Sequence, residues 1–212
     1  MALLAIADPP YPPMIGERRD TSGGPLRVTY RSRAVRWYGE PPGTVRQSPG
    51  GARPADFHPA AADWDDLSAH RSLLESLCEE YDGWAIATTP DGLGAYHPLP
   101  VAARVMAWLR TRSIPGGHRI QSNWEAVIVL PPEGRRSRAS GRRMNDTLLT
   151  PVPSIGFAGA KPPEWTHWVL NALGYEAGDT VVDLFPGSGS VSAAISTISA
   201  SSEAAAAPSL TG

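Results

Sequence analysis

The chain has 212 residues, an apolar fraction of 42% and a formal net charge of -2, enough to bury the core of one domain and too near neutrality to name a partner class. Its single cysteine, Cys78, excludes an internal disulfide and any cysteine-rich metal site. The basic residues are uneven, eighteen arginines against one lysine, Lys161, a bias that GC-rich coding explains and that singles out the surviving lysine.

The apolar run Ala2-Leu3-Leu4-Ala5-Ile6-Ala7 predicts a buried strand of a parallel sheet, ended by Pro9 and Pro10, which cannot stay in a ladder. It is too short for a membrane span and lacks the basic segment that precedes a signal peptide, so the cytoplasm is the expected location. Residues 17–60 are rich in Pro, Gly and Arg without a sustained period and are expected to form a long loop. From Asp63 to Tyr81 the spacing of Trp64, Leu67, Leu74 and Leu77 predicts a helix, capped by Asp63 and closed by Gly83. Trp84 to Thr88 predicts a second buried strand with a turn at Pro90-Asp91-Gly92. Arg104 to Leu109 and Glu125 to Leu130 predict a third and a fourth. The stretch 131–150 is expected to be an Arg-rich loop.

Trp165 to Leu173 reads as a helix with Pro162 and Pro163 at its first turn and Gly174 at its end. Thr180 to Leu184 predicts a fifth strand, Phe185 to Ser190 a tight turn, and Val191 starts a last helix. Residues 198–212 are Ala- and Ser-rich and read as a frayed helix or disordered tail. Strands alternating with helices argue for one α/β domain over 1–197 with a mainly parallel sheet.

Two segments carry chemistry. In Asp8-Pro9-Pro10-Tyr11 an acceptor carboxylate and the Pro9 carbonyl stand at the end of a strand, with consecutive prolines restricting the backbone between them. The exocyclic amine of a nucleobase is a poor nucleophile because its lone pair is delocalised into the ring. Two acceptors against its N–H bonds draw the nitrogen toward a tetrahedral shape, and the Tyr11 ring offers a face for an extruded base. The second segment is Asp183-Leu184-Phe185-Pro186-Gly187-Ser188-Gly189, a glycine turn between strand and helix that lets backbone approach a ligand. Asp183 would repel a phosphate there and suits a ligand bearing an ammonium or hydroxyl groups. Either segment alone is also an ordinary proline or glycine turn.

Together, and in this order, they resemble the permuted beta-class DNA amino-methyltransferases, in which the catalytic tetrapeptide precedes an F-x-G-x-G cofactor motif. Gly159-Ala160-Lys161-Pro162-Pro163 resembles the family's Lys-Pro segment, and Trp124 to Val129 is similar to its acid followed by an apolar strand. The resemblance implies a Rossmann-like S-adenosylmethionine methyltransferase fold with circularly permuted motif order. It assigns Asp8, Pro9, Pro10 and Tyr11 to the target base. It assigns Asp183, Phe185, Gly187 and Gly189 to the cofactor S-adenosylmethionine, with Lys161 near the cofactor's amino-acid end. The implied partner is DNA and the reaction direct methyl transfer to adenine N6, favoured over cytosine N4 by the Asp of the motif, with no metal.

The chain departs from the family after the cofactor helix. Where the family continues through two further strands, it offers Ser201-Ser202-Glu203 and four alanines. A minimal sheet is therefore expected, with either weak cofactor binding or ribose contacts supplied by the 17–60 loop, a homodimer or a partner subunit. Alternatives are an RNA adenine methyltransferase, disfavoured by Tyr11 where that family carries Trp, and a catalytically weak methyltransferase-like module that binds nucleic acid or a partner. Two basic stretches, net +5 over 17–53 and +3 over 131–150 by counting Arg against Asp and Glu, are candidates for phosphate contact, and Trp37 and Tyr38 for stacking. The five histidines show no ligand spacing, and Cys78 reads as a buried small residue.

Overall fold

A computed structural model describes residues 1–18, 23–39, 59–111, 120–137, 143–153, 159–187 and 189–206. Among them a mixed α/β fold is built on a six-stranded, mostly parallel sheet with four α-helices, an arrangement compatible with a Rossmann-like fold. The strands are β1 (Leu3–Ala7), β4 (Gly83–Thr88), β5 (Arg104–Leu109), β6 (Trp124–Leu130), β7 (Thr147–Leu149) and β8 (Thr180–Asp183), in the spatial order β7-β5-β6-β4-β1-β8. Pairing is parallel except along β6, which runs against both β4 and β5. A separate hairpin joins β2 (Met14–Arg18) to β3 (Arg27–Arg31).

The middle strands β1, β4 and β6 are mainly apolar because both of their faces are covered, with Thr88 and Glu125 as buried polar exceptions. Alternate residues divide cleanly. Leu4, Ile6, Ala85, Ala87, Val127 and Val129 face one layer, filled by Trp165, Val169 and Leu173 of α3 (Pro163–Leu173) and Val191 of α4 (Ser190–Ala206). Ala5, Ala7, Trp84, Ile86, Ile128 and Leu130 face the other, filled by Leu74 and Leu77 of α2 (Leu67–Glu80) and by Tyr96 of the 3-10 turn Pro90–Tyr96.

Several expected elements differ in detail. The long loop over 17–60 contains the end of β2, all of β3 and α1 (Ala34–Tyr38), while 40–58 lies outside the described residues. The helix expected from Asp63 divides into a 3-10 turn, Ala61–Asp65, and α2, because Asp66 is extended. Asp66, not Asp63, is the cap, accepting from the Ser68 amide at 2.9 Å. Gly83 does not close α2 but opens β4, where an added Cβ would stand 2.5 Å from Pro132 Cδ; glycine is needed for close approach there.

The loop over 131–150 contains a 3-10 turn, Glu133–Arg135, and the short strand β7, with 138–142 outside the described residues. Helix α4 extends to Ala206, into the segment read as a tail, and 207–212 are outside the described residues. Cys78 is exposed on α2 rather than buried, since the inward positions of that helix are taken by Leu74 and Leu77. Among the described residues no helix is long and apolar enough to cross a membrane, no group of three His, Cys, Asp or Glu could hold a metal ion, and β8 has a neighbour on one side only.

Candidate active site

The two chemistry-bearing segments meet because their strands are neighbours. Ile6 is in register with Asp183, and the Leu184 amide donates to the Ile6 carbonyl at 3.0 Å. Asp8 therefore leaves the sheet at the same end as the turn after Asp183. Strand β1 leads on to α2 on one face, whereas β8 leads to α4 on the other. Parallel neighbours whose following segments part to opposite faces open a crevice at their carboxyl ends, the usual ligand position in open α/β sheets.

Asp8, Tyr11 and Lys161 form one cluster, joined by two residues from the β5–β6 ladder. Lys161 comes from the loop before α3 and is buried. Its Nζ donates to Asp8 Oδ2 at 2.6 Å, to the Tyr11 hydroxyl at 3.1 Å and to the Gly159 carbonyl at 2.9 Å. The positive φ of Gly159 (84°) turns that carbonyl back toward its own lysine. Glu125 Oε2 accepts from the Tyr11 hydroxyl at 2.6 Å and lies 3.6 Å from Lys161 Nζ. Glu125 Oε1 accepts from Arg110 at 3.1 Å, and both side chains are buried. Two carboxylates and two cations thus balance with a phenol between them.

Electrostatics follow from the burial. Desolvation raises the Asp8 pKa above its ordinary value, and the Lys161 ammonium acts against that rise. Desolvation also opposes the charge on Lys161, but Asp8 and Glu125 outweigh it and hold the lysine above its usual range. The Tyr11 phenol is pushed well up by burial and by the Asp8 and Glu125 carboxylates, so it stays protonated and donates. Tyr38 lies at the rim of the cluster, its hydroxyl 3.6 Å from where a Cβ on Gly159 would stand, and its phenol is pushed up by burial and by the same two carboxylates; the Trp37 side chain lies outside the described residues.

The glycine turn stands beside this cluster. Gly187 and Gly189 have φ of 44° and 75°, backbone that side chains resist, and the Gly189 amide closes the turn on the Pro186 carbonyl at 2.6 Å. Ser188 between them is outside the described residues. Asp183 Oδ2 accepts from Ser192 at 2.8 Å, but Oδ1 is buried with no hydrogen-bond partner among the described residues. An unmet acceptor of this kind fits a ligand that donates, such as an ammonium or a hydroxyl.

Phe185 is held in place by a chain of rings. It packs edge-on against Trp64 with centroids 5.1 Å apart, and Trp64 meets His70 at 5.2 Å. His70 is a core residue, bonded at Nε2 to the Trp64 carbonyl and at Nδ1 to the Tyr96 hydroxyl, each at 2.9 Å. A shallow cavity of about 410 Å³ lies beside this group, lined in part by Asp63, Trp64, Leu73, Leu184 and Phe185. His58 and His118 are outside the described residues.

Of the residues singled out, Asp8, Tyr11 and Lys161 come together in one cluster, Asp183 stands in register beside Ile6 on the neighbouring strand, and Phe185 packs on Trp64; Lys161, expected near the cofactor's amino-acid end, is found against Asp8 and Tyr11. Sequence reasoning missed Glu125 and Arg110 as members of the site. The signal available was an acid at the start of a seven-residue apolar strand, where a carboxylate needs a partner. No protein-family model matches the chain, and no curated protein is significantly similar to it.

Proposed function

We propose that this protein is an S-adenosylmethionine-dependent methyltransferase acting on the exocyclic amine of a DNA base, adenine N6 in preference to cytosine N4, on a permuted methyltransferase fold. The observation that carries the reading is the adjacency of Asp8-Pro9-Pro10-Tyr11 to Asp183–Gly189 at the ends of paired parallel strands. One segment has the acceptors that an amine nucleophile needs, and the other has an open glycine turn with an unmet carboxylate oxygen.

The cofactor would supply an electrophilic methyl group on a sulfonium, so the protein has no bond to make itself. Asp183 and the turn through Gly187 and Gly189 would hold it, with the cavity beside Trp64 and Phe185 for its flat apolar end. Lys161 occupies Asp8 Oδ2, which leaves Oδ1 to accept from the substrate amine. The Pro9 carbonyl is the second acceptor. Together they pull electron density onto the nitrogen, and its surplus proton after transfer passes to Asp8, whose basicity burial has raised. Tyr11 offers its ring to the base, with its hydroxyl anchored at both Glu125 and Lys161.

The test is methyl transfer from labelled cofactor to DNA, with cofactor binding followed by calorimetry. Transfer is expected, and Asp8→Ala is expected to abolish it while sparing cofactor affinity. No transfer together with no cofactor binding would sink the reading. Transfer to RNA in preference to DNA would redirect it to the RNA class.

A further inference from the structure

The chain that leaves Tyr11 does not return at once to the sheet. Pro12 and Pro13 lead into the β2–β3 hairpin, and Arg33 brings the chain back to the same rim. Its guanidinium donates to the Pro12 carbonyl at 3.3 Å and to Thr89 Oγ1 at 2.8 Å, and pairs with Asp91 at 2.9 Å. The Arg33 amide is held by Asp65 at 3.2 Å. Both feet of the hairpin are therefore tied beside the candidate site, while every residue of β3 is exposed.

The ladder sorts its side chains by face. Ile15 is paired with Tyr30, and Val28 shares their side; Arg27, Thr29 and Arg31 share the other. Tyr30 is 67% exposed, Ile15 55% and Val28 54%. No hydrogen bond or ion pair engages the Arg27 or Arg31 guanidinium among the described residues. Over 14–33 the sequence carries arginines at 18, 19, 27, 31 and 33 against Glu17 and Asp20. A two-stranded hairpin with all of β3 exposed is marginal in water by itself. Unpaired cations on one face, an aromatic and aliphatic patch on the other, and a base clamped to the site rim together suit a polyanion with apolar edges.

The geometry points to the β2–β3 hairpin as an arm that enters the major groove of duplex DNA next to the target base. This rests on the nucleic-acid substrate proposed above. A two-stranded ribbon fits that groove. Arg27 and Arg31, roughly 13 Å apart at the rise of a strand, take backbone phosphates. Tyr30, Ile15 and Val28 lie against base edges.

The experiment is fluorescence anisotropy of the full chain on a short duplex across a salt series, without methyl transfer. Arg27→Ala with Arg31→Ala is expected to weaken binding and to lower the magnitude of the log–log salt slope by about 2. Tyr30→Ala is expected to weaken binding several-fold with the slope unchanged. These residues are exposed and outside the cluster, and unchanged circular dichroism and cofactor affinity would show that the variants fold. An unchanged slope in the double variant overturns the arm. So does equal competition by duplex RNA, whose major groove is too narrow for a ribbon. A reduced slope in a protein that neither transfers a methyl group nor binds the cofactor upholds the arm and removes the methyltransferase reading; transfer with an unchanged slope does the reverse.

Discussion

Lys161 and Asp8 stand 153 residues apart in the chain and 2.6 Å apart in the fold. The lysine side chain is 1% exposed and the aspartate 20%, so the ammonium is sealed behind the carboxylate, which alone faces the crevice. One Asp8 oxygen is committed to the lysine, and in the proposed reaction the other accepts from the substrate amine. The same ammonium contacts Tyr11, so a single buried charge orients both ends of the tetrapeptide.

Asp8 must be ionised to accept from an amine. Burial raises its pKa and Lys161 acts to lower it, so the acidic limb of kcat/KM against pH is expected above the ordinary carboxylate value of about 3.9. Lys161→Met removes the lowering influence, and the limb should move further toward alkaline pH. A pH–rate profile of the two proteins checks this. Coincident limbs would show that Lys161 does not tune Asp8.

Arg110 and Glu125 form a buried pair whose side chains are 5% and 8% exposed. Removing one partner strands the other charge, so Arg110→Met or Glu125→Gln alone should destabilise by about 3 kcal/mol or more. The double variant should lose less than the sum of the two. Urea unfolding of all four proteins measures the coupling; strictly additive losses would mean that the pair does not act as one.

Asp183 spends one oxygen on Ser192 and keeps the other unpartnered. Asp183→Ala should therefore lower cofactor affinity by about tenfold or more, the worth of a charge-assisted hydrogen bond, while leaving the unfolding midpoint nearly unchanged. Calorimetry with S-adenosylmethionine is the measurement. Undiminished affinity would remove Asp183 from the cofactor site.

Asp179 ties the sheet edge together. It accepts from the Ala2 amide at 2.7 Å, the Glu176 amide at 2.9 Å and the Arg135 guanidinium, and chiefly the arginine lowers its pKa to about 2. A depressed folded-state pKa gives stability that is fully present above the unfolded value near 4 and is lost as pH falls toward 2. That contribution is worth about 2 kcal/mol. Asp179→Asn should be less stable at pH 7, and its deficit should shrink between pH 4 and pH 2. A deficit that is flat across that window would refute the linkage.

Much of the fold was legible because its central strands are apolar on both faces. Ala2 to Ala7, Trp84 to Thr88 and Glu125 to Leu130 each carry a run that only a covered strand satisfies. Helix α3 was legible from Pro163 at its start and from Gly174, which ends it at φ 68°. The β2–β3 hairpin and β7 were not, because strands that bury so little have no hydrophobic period to read. The split before α2 was hidden for a local reason: Asp63, Asp65 and Asp66 are all plausible caps, and backbone torsion at Asp66 chose among them, while Asp65 was taken by the amides of Arg33 and Ala34.

By itself the sequence determined where the acceptor-bearing tetrapeptide and the glycine turn lie and in which order, since both are properties of short segments. Only the tertiary structure decided that β8 pairs with β1, and so that Asp183 and Asp8 share one crevice. It alone brought Glu125, with Arg110 paired to it, to Tyr11 and set Lys161 on Asp8. The physical reason is that hydrophobic periodicity specifies which face of an element is buried but not which neighbour covers it. Buried charges are settled last, by whichever partners the assembled strands bring within reach.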